Sequence, residues 1–196
     1  HTNLDSARTS FVGRQQELQQ LTAAIKGGAR LITVSGPGGT GKTRLARETG
    51  AVLLGEFPGG VWFADLTESR NIEGLAYAVA QSFGVPLAGS QSPAIELAAF
   101  LYTRAPCLVI LDNFEHLMGG VDVLLTLLKR APNVVLLVTS RERLNLQAED
   151  LFELNGLPTP ASAADPGASQ FAAIRLLVDR AHRARNTATP RHAPGI

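Results

Sequence analysis

The sequence predicts an α/β fold in which a parallel sheet lies between layers of helices. Two observations carry this. Short apolar runs alternate with segments whose apolar residues recur at helical spacing, and the central runs are apolar throughout. A strand covered on both faces has no polar side to show, so unbroken runs mark a parallel sheet flanked by helices. The 196 residues suffice for one such domain and a fragment of a second.

Taken in order, residues 1–10 are polar and unpatterned and read as a linker. Leu18, Leu21 and Ile25 set a short amphipathic helix over Gln15–Lys26. LITVS (Leu31–Ser35) is a buried strand, and a helix is expected from about Lys42 to Leu54. GVWFADL (Gly60–Leu66) gives the second strand. Ile72, Leu75, Ala76, Val79, Ala80 and Phe83 share one helix face, which Gly84 and Pro86 end. Ser92 is a candidate cap for the next helix, with Pro93 in its first turn. CLVILD (Cys107–Asp112) is the third strand, and Val121, Leu124, Leu125 and Leu128 mark the helix after it. NVVLLVTS (Asn133–Ser140) is the fourth strand and LFEL (Leu151–Leu154) a fifth. Residues 11–157 thus form the main domain. Residues 158–168 are a Pro/Ala/Ser linker, and 169–186 form a helix with Phe171, Ile174, Leu177, Val178 and Ala181 on one face. The tail, 187–196, has no pattern and is expected to be disordered.

Composition narrows the class. Hydrophobic residues make up 45%, as in a folded globular protein. A net charge of +1 gives no global attraction to nucleic acid or membranes. No apolar run reaches the length of a membrane span, and no signal peptide opens the chain. The single cysteine, Cys107, sits inside an apolar strand and reads as a buried structural thiol. A cytoplasmic protein is expected. The chain opens on His1 rather than methionine and is expected to be a piece of a larger protein.

Chemistry enters at SGPGGTGKTRLA, directly after the first strand. Gly36-Pro37-Gly38-Gly39-Thr40-Gly41-Lys42-Thr43 matches G-x-x-x-x-G-K-[ST] at every fixed position. The glycines let successive backbone N–H groups turn inward around an oxyanion, and the following helix aims its positive end there. Lys42 can reach the β- and γ-phosphates, and the Thr43 hydroxyl can ligate Mg²⁺. A Gly-rich turn could match by chance, but this one lies between a strand and a helix, as the phosphate loop requires.

Such a loop works with an acid at the end of another buried strand. Asp112 follows five apolar residues and is the candidate metal-organising carboxylate. The next position, where a glutamate often orients the attacking water, holds Asn113. An amide cannot take a proton, so slow hydrolysis is expected. Glu115 and His116 stand close by, and Glu115 is the nearest candidate acid. Arg141, just past the fourth strand, is placed to sense the terminal phosphate. Arg44 and Arg143 are weaker candidates, better read as surface residues.

The order FVGR, GPGGTGKTRLA, LVILDNFEHL, LLVTSRERL resembles the STAND class of P-loop NTPases, relatives of NB-ARC and AAA+ modules. The likeness is greatest to the ATPase module of bacterial LuxR-type and SARP-type transcriptional regulators, and it covers roughly residues 9–184. It implies a three-layer fold with a five-stranded sheet in the order 5-1-4-3-2. It also implies that Phe11, Val12, Gly13 and Arg14 pack on the base and ribose. The implied function is an ATP/ADP switch within a multidomain signalling or transcription regulator, with Mg²⁺ as cofactor. Its implied partners are helical, winged-helix, sensor and DNA-binding domains, and copies of itself when ATP is bound. An efficient motor-type or remodelling ATPase of the AAA+ kind is the alternative. In the class a G-x-P motif touches adenine from later domains. Gly156-Leu157-Pro158 spells it straight after the fifth strand, too early for that role. The basic residues Arg180, His182, Arg183 and Arg185 read as a solvated helix face, and no direct nucleic-acid contact is expected.

Overall fold

The computed structural model describes residues 1–5, 11–89, 91–160 and 167–188. Two compact units emerge, one of residues 1–6 with 16–155 and one of residues 7–15 with 156–196.

In the first unit five parallel strands alternate with helices. They are β1 (Leu31–Ser35), β2 (Val61–Asp65), β3 (Cys107–Asp112), β4 (Val134–Ser140) and β5 (Asp150–Glu153). Their spatial order is β2-β3-β4-β1-β5, the expected order read from the other edge. The helices are α1 (Gln15–Lys26), α2 (Lys42–Leu53), α3 (Ile72–Ser82), α4 (Pro93–Tyr102) and α5 (Asp122–Arg130). Every residue of β1 and β3 is buried, which is why their sequences carry no alternation.

Side chains of successive strand residues still leave on opposite faces. Val109 and Leu111 join Leu75 of α3, Leu97 of α4 and Leu124 of α5 in one core layer. Ile110, between them, meets α2 on the other face, where Gly50 leaves no room for a side chain beside Ile110 and Val61. Cys107 is fully buried, and burial pushes its thiol up to about 11, which suits a structural role.

Arg30 ties the base of the sheet together. Its guanidinium donates to the carbonyls of Leu128 at 3.0 Å, Ala131 at 2.9 Å and Val134 at 3.2 Å, so the end of α5 is capped by the side chain of the residue just before β1.

Local details differ from the sequence reading in three places. Ser92 precedes α4, but its side chain makes no capping bond. Glu96 secures that end instead, accepting from the backbone N–H groups of Gln91 at 2.8 Å and Gly89 at 3.1 Å. Phe114–Gly120, to which the sequence assigned no element, winds into 3₁₀ turns. Within the stretch read as a linker, residues 1–5 follow the outer edge of β2. Thr2 bridges Val61 in parallel, and Val61 donates to the carbonyl of His1 at 3.0 Å. The Asn3 side chain accepts from Phe63 N–H at 2.7 Å and donates to Phe63 C=O at 2.8 Å.

In the second unit, α6 runs over Ala172–Ala188. Gly13, at φ 77, lies so close to Ala172 that any Cβ would overlap it. Residues 6–10, 161–166 and 189–196 lie outside the described residues, and with them most of the first linker, the centre of the second and most of the tail. The side chains of His182, Arg183 and Arg185 are outside them too. Among the described residues no helix is long and apolar enough to cross a membrane.

Candidate functional site

The site forms where β1, β3 and β4 end on the same edge of the sheet. Parallel strands all deliver their C-terminal residues to one edge, and the first and third here continue into the phosphate loop and the acid. After Ser35 the chain turns through Gly36, which packs so tightly on the Leu154 carbonyl that no side chain fits. Gly39 (φ 78) and Gly41 (φ 93) hold left-handed conformations that favour glycine, and α2 begins directly at Lys42. Pro37 and Gly38 complete the bend. Thr40 closes it by donating its hydroxyl to the Pro37 carbonyl at 2.9 Å.

Lys42 lies folded over this loop. Its ammonium donates to the carbonyls of Gly36 at 2.8 Å and Pro37 at 2.9 Å. Burial lowers its pKa, with Glu115 acting upward, Arg141 downward and Asp112 upward.

Asp112 is almost fully buried. Thr43 donates to its Oδ2 at 3.0 Å, and Thr139 donates to its Oδ1. The pairing of Leu111 with Val138 explains the second contact, since the next residue of each strand lies level with the other. Thr139 was not singled out from the sequence. A hydroxyl at the end of the strand beside the acid was the available signal, and it becomes readable once β3 and β4 are known to be neighbours.

The donor set suits a hard cation. One hydroxyl and one carboxylate, already in contact, match the sparse protein ligation of Mg²⁺, which keeps most of its waters. No cluster of three His, Cys, Asp or Glu side chains occurs among the described residues.

Burial is the main cause of the raised Asp112 pKa, opposed by the Thr139 and Thr43 hydroxyls and reinforced by the negative charge of Asp65. The unfolded chain ionises this group more readily than the folded one. Ionisation therefore costs stability as pH rises through and above the ordinary carboxylate range, about 4. Asp112→Asn is expected to melt above the parent at pH 7, without nucleotide or metal, with the gap narrowing as pH falls toward that range. A variant that melts lower at pH 7 would show that the two hydroxyl bonds outweigh burial.

The remaining candidates divide. Arg141 Nε lies 3.0 Å from Glu115 Oε1, so these two residues are brought together, and the charges of both act on Lys42. Arg44 pairs with Glu48 one turn along α2, at 2.7 Å. His116 Nε2 lies 2.8 Å from the Leu66 carbonyl and braces the 3₁₀ segment. Phe11, Val12, Gly13 and Arg14 belong to the second unit, and Arg14 is buried.

Asn113 takes a left-handed conformation (φ 63, ψ 48). Its backbone N–H donates to Thr139 Oγ1 at 3.1 Å. Its side-chain amide faces Asp112, Asp65 and Thr67, the last two being contributed by β2 and the turn after it.

The chain is 34% identical over 179 residues to an uncharacterised protein of Mycobacterium tuberculosis, covering 91% of this chain and 42% of that one. It is 32% identical over 155 residues to a candidate HTH-type transcriptional regulator of the same organism, covering 79% of this chain and 16% of the regulator. The chain thus spans less than half the length of either relative. Among solved structures, Cdc6p from Pyrobaculum aerophilum superposes with a TM-score of 0.64 at 18% identity, over 89% of this chain and 52% of that one. A Signal Transduction ATPase with Numerous Domains (STAND) protein with a tetratricopeptide repeat sensor from Pyrococcus horikoshii gives 0.52 at 19% identity, over 79% and 24%. At those identities the likeness is one of fold. The family model of the AAA domain matches residues 25–147, from the end of α1 past the end of β4, and the chain belongs to that family.

Proposed function

We propose that this chain is the ATP- and ADP-binding switch module of a multidomain signalling or transcriptional regulator in the cytoplasm. It binds Mg²⁺ and hydrolyses ATP slowly. The observation that carries the reading is the contact between Thr43 of the phosphate loop and Asp112 of β3, at 3.0 Å, on a loop that is complete in sequence. Its relatives are longer proteins, one a candidate regulator, which supports a module among other domains.

In this reading Lys42 leaves the loop carbonyls for the β- and γ-phosphates. Thr43 and Asp112 hold the hydrated metal. Arg141 leaves Glu115 for the γ-phosphate and so distinguishes ATP from ADP. Phe11–Arg14 contact the base and ribose. Residues 11–157 act as the NTPase domain, 158–168 as a linker and 169–186 as the first helix of a further domain. Self-association with ATP bound follows as a part of the switch.

Asp112→Ala is expected to remove most of the Mg²⁺-dependent gain in ATP affinity while leaving the fold intact, measured by calorimetry with and without EDTA. If EDTA leaves the ATP affinity of the parent unchanged, the metal assignment fails.

One observation favours the second reading, an efficient remodelling ATPase. Glu115 pairs with Arg141 through Oε1, while its Oε2 is buried with no hydrogen-bond partner among the described residues. It could serve as the acid that Asn113 is not.

A further inference from the structure

Asn113 stands where a carboxylate would polarise water, yet its amide is anchored more firmly than a passive turn residue requires. Its Nδ2 lies 3.2 Å from Asp112 Oδ2, 3.3 Å from Asp65 Oδ1 and 3.0 Å from Thr67 Oγ1. Asp65 and Asp112 are register partners on β2 and β3, so two adjacent parallel strands deliver two carboxylates to the same amide. Carboxylates only accept hydrogen bonds. The Thr67 hydroxyl already donates to Asp65 at 2.6 Å and so meets the amide as an acceptor. All three neighbours therefore demand the NH₂ end of Asn113, and the choice between its two flip states is made by chemistry. The carbonyl end, Oδ1, points away from them and has no donor among the described residues.

Asp65 is exposed and held ionised. The Thr67 hydroxyl lowers its pKa most, with the Thr67 backbone and the Asn113 amide acting in the same direction. The anchor therefore persists at neutral pH. The oxygen of Asp112 that Asn113 touches is the same one that Thr43 touches, so the amide borders the metal position of the candidate site.

We propose that Asn113 is the water-orienting catalytic residue of this site, its Oδ1 accepting a hydrogen bond from the attacking water. Asp65 and Thr67 are positioning residues that fix which end of the amide faces that water. This rests on the ATP-hydrolysing reading above. The water oxygen forms the new bond to the γ-phosphorus, and the bond to the bridging oxygen breaks with its electron pair going to ADP. One water proton passes to a γ-phosphate oxygen, and the amide stays neutral throughout. An amide that orients water without accepting its proton is an established means of phosphoryl-transfer catalysis, and it is compatible with slow turnover.

Asparagine also tolerates left-handed backbone better than most residues, which alone would explain its presence. Asn113→Gly separates the two accounts, since glycine keeps the backbone and deletes the amide. With protein in excess over MgATP, single-turnover phosphate release is expected to fall tenfold or more in Asn113→Gly, with ATP affinity changed less than twofold. Asp65→Asn is expected to slow release by a smaller factor, because one of the acceptors that fix the flip is lost while Asp112 still demands the NH₂ end. Asn113→Asp is expected to be slower than the parent and weaker for Mg²⁺, since a third carboxylate would stand against Asp65 and Asp112.

A second readout is independent of turnover. The side-chain amide resonance of Asn113 in the nucleotide-free protein at neutral pH is expected to move in Asp65→Asn, because the amide then loses its bond to a carboxylate. Phosphate release from the parent no faster than from Asn113→Gly would overturn the inference and leave nucleotide binding standing. So would an Asn113 resonance that ignores Asp65. A parent that binds no nucleotide would overturn both readings.

Discussion

Lys42→Ala is expected to weaken ATP or ADP binding by tenfold or more, a loss of at least about 1.4 kcal/mol. The ammonium has no structural partner that the fold depends on. Its two bonds go to carbonyls of the loop itself, at 2.8 and 2.9 Å, and phosphate oxygens would replace them with charge-assisted bonds. Its lowered pKa reflects burial above all, and Glu115 and Asp112 favour the charged form. Removing the side chain should therefore leave the thermal midpoint of the nucleotide-free protein nearly unchanged. Calorimetry that gives equal affinities for the two proteins would end the phosphate role of Lys42. A large fall in the midpoint would make it a structural lysine.

Turnover carries the other large effect. The chain is expected to bind nucleotide yet hydrolyse ATP below ~1 s⁻¹, the lower end of the range of ordinary enzymes. No acid follows Asp112, and the amide there can orient water but not deprotonate it. In a single copy no arginine arrives from a neighbour, a contribution that can reach ~10³-fold or more. Each deficit acts on the transition state and leaves ground-state binding alone. A phosphate-release assay at saturating ATP checks this. Several turnovers per second, lost in Lys42→Ala, would mean that Glu115 has left Arg141 and works as the base. The remodelling reading would then stand ahead of the switch.

What could be read from the sequence followed burial. β3 is apolar at every position but its last, and β1 at Leu31, Ile32 and Val34, because both of their faces are covered, and their limits came out to the residue. The strand order came from the motif resemblance, since apolar runs alone do not say which strands are neighbours. Lys42, Thr43 and Asp112 were legible because each follows a strand with a spacing that chemistry constrains. Thr139 and Asp65 were not, because a threonine or aspartate at a strand end is common and their meaning depends on register across the sheet. Arg30 was invisible for a similar reason, as its acceptors lie about a hundred residues along the chain. Local backbone chemistry was harder still. The left-handed turn at Asn113 and the absent cap at Ser92 depend on one or two dihedral angles that no periodicity records.

The short stretch beside β2 bears on how the molecule meets others of its kind. A sheet whose terminal strand is bare offers a row of donors and acceptors on which a foreign strand can grow, and this is a common seed of aggregation. At β2 that row is already spoken for. Val61 gives its N–H to His1, and Asn3 takes both main-chain groups of Phe63 with a single carboxamide, copying the pattern of a peptide bond. A docking strand would need those same groups, so resistance to edge-to-edge polymerisation rests here on a few residues of backbone and one asparagine side chain.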